Sequence, residues 1–103
     1  MTDAVPARIA LAYLATLSAD LRSAVIVAAD GEVVAGDAGL EPAATRLLDG
    51  AGPAEARKAA HSDGTLFAAR SDGHLLALAV GPHALEAVVV HDLLATLDDL
   101  RDW

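Results

Sequence analysis

The sequence predicts an α/β domain of the α+β type, with elements in the order α-β-β-α-β-β-β-α. Three observations carry this reading. Asp30-Gly31 separates two short apolar runs, Ser23–Ala29 and Glu32–Gly36. Such a pair between strand-like runs marks a hairpin, because a tight turn requires positive φ angles. Ala59-Ala60-His61-Ser62-Asp63-Gly64-Thr65-Leu66 is echoed by Ala68-Ala69-Arg70-Ser71-Asp72-Gly73-His74-Leu75, a period of nine residues. Seven strand residues plus a two-residue turn give that period, so the segment reads as a three-stranded meander. The two ends of the chain carry apolar residues at helical spacing instead.

The elements follow in order. From Asp3 to about Ser18, Val5, Ile9, Leu11, Ala12, Tyr13, Leu14 and Leu17 form an apolar helical stripe. Pro6 is tolerated in a first helical turn. Asp3 and Asp20 suit the boundaries. Ser23–Ala29 does not alternate with polar residues, which predicts a strand covered on both faces. Gly36 to Gly39 breaks the pattern. Glu41-Pro42-Ala43-Ala44-Thr45-Arg46-Leu47-Leu48 reads as a short helix with proline near its start, ended by Gly50, Gly52 and Pro53. The meander turns at Asp63-Gly64 and Asp72-Gly73. Leu75–Val80, its most apolar strand, belongs deep in the sheet, and Ala56–Ser62 belongs at an edge. Gly81-Pro82 stops the last strand. From Ala84, residues Leu85, Val88, Val89, Leu93, Leu97 and Leu100 fall at helical spacing. The β-prone Val88-Val89-Val90 run works against the start of this helix. Asp98, Asp99 and Asp102 oppose its dipole and predict a fraying end.

The bulk numbers bound the function. The 103 residues fit one domain, 1–103. Alanine dominates, and Phe67, Tyr13 and Trp103 are the aromatic residues. Burial yields about 25 cal/mol per Å² of apolar surface, so a core of small side chains leaves an isolated domain marginal. Association would add burial. The net charge is −8, and only seven lysines and arginines are present, well scattered. Phosphate contacts need clustered cations, so the sequence points away from nucleic acid and from docking on anionic membranes. There is no cysteine, and hence no disulfide or thiolate zinc site. No signal peptide is legible, and no apolar run reaches transmembrane length. The expectation is a cytoplasmic protein without direct membrane insertion.

Catalytic patterns are thin. The glycines lack the lysine and hydroxyl partners of a P-loop, and there is no G-x-S-x-G elbow. The histidines are His61, His74, His83 and His91, and no pair has the i, i+4 spacing of a helical zinc site. They read as surface or boundary residues. Ser62-Asp63 and Ser71-Asp72 lie near His61 and His74, but a serine nucleophile also needs an aligned base and an oxyanion hole. Ser-Asp-Gly is ordinary turn sequence. The fifteen carboxylates scatter over turns, caps and helix surfaces. The reading is no enzyme, no metal and no cofactor.

The element order, with its Asp-Gly hairpin after the first strand, resembles the roadblock/LC7 family, which includes dynein light chains and bacterial gliding-motility GTPase regulators. The stretches that carry the resemblance are Leu21-Arg22-Ser23-Ala24-Val25-Ile26-Val27-Ala28-Ala29-Asp30-Gly31 and Gly64-Thr65-Leu66-Phe67-Ala68-Ala69-Arg70-Ser71-Asp72. It spans nearly the whole chain and rests more on element order and length than on identities. The resemblance implies a profilin-like sandwich: a five-stranded antiparallel sheet with one helix on one face and two on the other. It also implies homodimers that pair their middle helices and adjoining third strands. Bacterial and archaeal members often act with small Ras-like GTPases, and many eukaryotic members are scaffolds. The resemblance supplies no catalytic residues.

The expected dimer interface is Ala43, Ala44, Leu47 and Leu48 on the middle helix, with Arg57, Ala59 and His61 on the third strand. The helix residues are small and apolar enough for close contact, though the helix is brief. The strand lacks the usual guards of a free edge beyond Arg57 and Lys58. The function expected is a non-catalytic, homodimeric regulator or adaptor of a small Ras-like GTPase. The alternatives are a scaffold subunit of a signalling assembly without a GTPase, and a small-molecule sensor. The Ala-rich core and scarcity of aromatics argue against the sensor, which needs a concave pocket with convergent polar groups.

Overall fold

A computed structural model describes residues 5–17, 20–61, 64–71 and 73–101, and side chains within 8–15, 20–60, 64–71 and 73–100. The expected roles of Asp3, Ser18, Ser62, Asp63, Asp72, Asp102 and Trp103 fall outside these residues. The elements are α1 (Val5–Leu17), β1 (Leu21–Ala28), β2 (Val33–Gly36), a 3-10 turn (Ala38–Leu40), α2 (Glu41–Leu47), β3 (Arg57–His61), β4 (Gly64–Arg70), β5 (His74–Val80) and α3 (Glu86–Arg101). All strand pairs are antiparallel, and the five strands form one sheet in the order β2-β1-β5-β4-β3. The expected order of elements holds, with β5 at the centre and β3 at an edge.

Strand alternation divides the core in two. Ile26 of β1, Phe67 and Ala69 of β4, and Leu76, Leu78 and Val80 of β5 pack with Leu14 of α1 and Val89, Leu93, Leu97 and Leu100 of α3. Val25, Val27, Leu66, Ala68 and Ala77 point the other way and pack with Ala44, Leu48 and Ala51 around α2. One helix therefore covers one face and two cover the other. β1 is apolar on both sides because both its faces are covered.

Several boundaries differ from the sequence reading. β1 starts at Leu21 and ends at Ala28. The first hairpin has a three-residue loop, Ala29-Asp30-Gly31, closed by Ala28 N–H donating to Glu32 O at 2.8 Å. Gly31 supplies the positive φ, 89°, at the loop's last position, the usual place for a left-handed residue in a loop of this length. In the second hairpin, His61 pairs with Gly64, so Gly64 belongs to β4 and not to the turn. A Cβ at Gly64 would sit 2.1 Å from Val80 O. The glycine is there because two strand ends approach closely, not to bend the chain. Its counterpart in the nine-residue repeat, Gly73, does lie in the connection, which Ser71 N–H closes by donating to His74 O at 2.8 Å. The Gly36–Gly39 break contains the 3-10 turn, started by Asp37, whose side chain accepts from Gly39 N–H at 2.9 Å. α3 begins at Glu86, and Val88-Val89-Val90 is helical despite its β propensity. Buried Val89 and Leu93 anchor that turn on the sheet, and packing overrides propensity.

Candidate interaction surface

α2 has seven residues, so it is about 10 Å long. It crosses a sheet whose outer strands lie about 19 Å apart. A helix that short leaves sheet uncovered on both of its sides. On one side is a hollow of about 320 Å³ bordered by Val27, Glu41, Thr45, Arg70 and Leu75. On the other is a more apolar hollow of about 210 Å³ bordered by Arg22, Leu40, Ala43, Thr65, Leu66 and Ala79. Ala44 and Leu48 are fully buried under α2. Their side chains hold the helix to its own sheet. Ala43 and Leu47 are half-buried, and Pro42, Thr45, Arg46 and Asp49 face outward.

Two arginines fix α2 and the chain that follows it. Arg70 of β4 donates from one guanidinium nitrogen to Leu48 O and Ala51 O, both at 2.7 Å. Arg57 of β3 donates to Asp49 O at 2.8 Å, to Leu47 O at 3.3 Å and to the Glu55 carboxylate at 2.8 Å. Leu47 O and Leu48 O are the end and cap of α2, where carbonyls lack intrahelical partners and a cation meets the negative end of the dipole, while Asp49 O and Ala51 O belong to the chain that follows. Arg57, expected at the interface, is thus committed to its own chain. Lys58 points to the other face and pairs with Glu86 of α3.

β3 hydrogen-bonds to β4 on one side alone, so its outer edge is open. A two-residue connection closes on a hydrogen-bonded pair, here His61 with Gly64. By alternation, Arg57 and Ala59 also turn their backbone groups toward β4, which leaves those of Lys58 and Ala60 facing outward. Ala59 is half-buried on the α2 face, and Ala60 is exposed. The His61 side chain lies outside the described side chains. The open edge and the half-covered face adjoin, because β3 is the strand toward which α2 runs.

The other polar residues do not converge. His74 begins β5, with Nδ1 buried and unpaired among the described residues. His83 is in the β5–α3 turn, and its backbone N–H donates to Asp20 Oδ2 at 2.7 Å. His91 is exposed on α3. The Ser71 hydroxyl reaches His74 O at 3.5 Å as part of the turn. Among the described residues no three His, Asp or Glu side chains gather as metal ligands do, and no helix is long and apolar enough to cross a membrane.

The fold matches solved structures closely. A roadblock/LC7 domain from Streptomyces avermitilis superimposes with a TM-score of 0.68 over 88% of this chain and 91% of that one, at 21% identity. MglC from Myxococcus xanthus superimposes with a TM-score of 0.71 over 95% and 98% of the two chains, at 14% identity. No protein-family model and no curated protein sequence matches the chain. The chain has the roadblock/LC7 fold.

Proposed function

We propose that this roadblock/LC7-type chain is a non-catalytic interaction module that acts as a homodimer. The supporting observation is the conjunction of the half-covered α2 face with the open β3 edge. In the proposed dimer, β3 strands of two copies pair edge to edge through the outward backbone groups of Lys58 and Ala60. Ala43, Leu47 and Ala59 come together beside the paired strands. Ala44 and Leu48 contribute by fixing α2 from below, and Arg57 by fixing its C-terminal end. Joining the sheets removes two free edges at once, the usual hazard of an unpaired strand.

The proposed role of the dimer is to regulate, or serve as adaptor for, a small Ras-like GTPase in the cytoplasm. The roadblock/LC7 likeness, which includes MglC, supports that reading. It is tested by titrating the purified chain against Ras-like GTPases encoded beside its gene, each loaded with GDP and with a non-hydrolysable GTP analogue. Saturable binding that differs between the two nucleotide states is the expected result. Absence of binding in both states removes the GTPase and leaves a scaffold.

A further inference from the structure

Two opposite charges border one of the hollows beside α2 without meeting. Val27 of β1, Leu75 of β5 and Arg70 of β4 are cross-strand neighbours in one row on the α2 face. Three adjacent strands make that row about 10 Å wide. Val27 and Leu75 give it an apolar floor, and Arg70 stands at its end. Glu41 and Thr45 of α2 wall it, and together these residues border the hollow of about 320 Å³. His74 also borders it, but shares the parity of Leu76 and Leu78 on the other face of the sheet.

Arg70 uses one terminal nitrogen to hold Leu48 O and Ala51 O. Its Nε and its other terminal nitrogen bond nothing among the described residues, and neither is sealed from solvent. No described carboxylate pairs with it. Glu41 accepts from the Thr45 hydroxyl at 3.2 Å and pairs with no described lysine or arginine. α2 sets the two charges at its opposite ends. Arg70 is tied to the cap residue Leu48, and Glu41 begins the helix seven residues earlier, about 10 Å away along the axis.

The charge pattern selects the ligand. A lone anion at Arg70 would meet Glu41 and a net charge of −8, and a lone cation at Glu41 would meet Arg70. A zwitterion satisfies both ends. An α-amino acid separates its ammonium from its carboxylate by about 3 Å. A charge-assisted hydrogen bond of about 2.8 Å at each end extends the span to about 9 Å. That is close to the separation of the two ends of α2. Val27 and Leu75, between the charges, offer apolar surface to an aliphatic side chain. A volume near 300 Å³ is the lower limit for a ligand site, which favours a molecule of this size.

We propose that this hollow binds a free aliphatic α-amino acid, its carboxylate on the unbonded guanidinium nitrogens of Arg70, its ammonium on Glu41 and its side chain on Val27 and Leu75. The site does not depend on the homodimer, because Ala43 borders the other hollow, on the opposite flank of α2. The test is isothermal titration calorimetry of the chain with L-leucine to about 10 mM, which spans the millimolar affinity expected of so small a ligand. N-acetyl-L-leucine lacks the ammonium, and L-leucinamide lacks the carboxylate. L-leucine is expected to saturate, and each analogue to bind at least about tenfold more weakly. Glu41→Gln is expected to weaken L-leucine about tenfold and to abolish the preference over N-acetyl-L-leucine, with unchanged circular dichroism. Thr65→Ala, at the other hollow, leaves binding unchanged. Lack of saturation by L-leucine overturns the proposal. So does either analogue binding as well as L-leucine, or a Glu41→Gln variant that keeps full affinity. A protomeric chain that still binds L-leucine sinks the homodimer and leaves the site standing, and a dimer that ignores L-leucine does the reverse.

Discussion

Arg70 illustrates how single residues hold this fold. Its guanidinium donates to Ala51 O and to Leu48 O, which also accepts from Ala51 N–H at 2.9 Å, so it clamps the turn that follows α2. Hydrogen bonds to a charged group contribute about 1.5–3 kcal/mol each, and part-burial limits the sum. Arg70→Ala is expected to destabilise the domain by about 2–3 kcal/mol in urea unfolding, and Arg70→Lys to recover part of that. Gly64 works by absence. An added methyl at 2.1 Å from Val80 O forces β4 and β5 apart at their ends. Gly64→Ala is expected to lose about 2–3 kcal/mol, within the range for overpacked sites. A substitution at Gly64 with no effect on the melting midpoint would show that the strand ends have slack. Neither role is legible in sequence. In sequence Arg57 reads as an edge guard and Arg70 only as part of the nine-residue repeat, because their partners are backbone carbonyls distant in sequence. Gly64 reads as a turn residue because its repeat-mate Gly73 is one.

At the scale of elements, local signals named every helix and strand except the 3-10 turn at Ala38–Leu40, which three residues are too few to announce. Asp-Gly pairs and apolar runs identified the strands, and helical spacing identified α1 and α3. Which side each helix buries was less legible. The stripe read along α1 included Ile9 and Tyr13, yet Leu14 carries the deepest contact. A nearly uncharged helix has no polar face to break the tie. The interface expectation was half-separable for the same reason. Ala43 and Ala44 look alike in sequence, and the helix turn sends one to the rim and the other to the core. The edge strand offers a direct handle. Ala60 is exposed and its N–H faces away from β4. Proline is tolerated at such an edge position. Ala60→Pro is expected to keep the helical and strand signals in circular dichroism while it blocks edge pairing. Loss of the fold itself would show that the N–H of Ala60 serves the β4 ladder instead.

The whole molecule carries a net charge of −8, so a homodimer brings like charges together. Screening shortens their reach from about 30 Å at 0.01 M salt to about 8 Å at 0.15 M. Dimerisation is therefore expected to strengthen severalfold as salt rises over that range, measured by sedimentation velocity. A contact held by ion pairs would weaken instead. The small-residue core points the same way, since a domain with little buried area per residue gains stability by association. The open features of α2 and β3 lie on one face of the sheet and at its edge.

The homodimer is tested most directly by solution mass from light scattering across a dilution series, on wild type and Ala60→Pro together. Paired β3 edges give twice the protomer mass of 10.4 kDa for the wild type and a single protomer for the variant. A wild type that stays at the protomer mass at every concentration would contradict it, as would a variant that keeps the dimer.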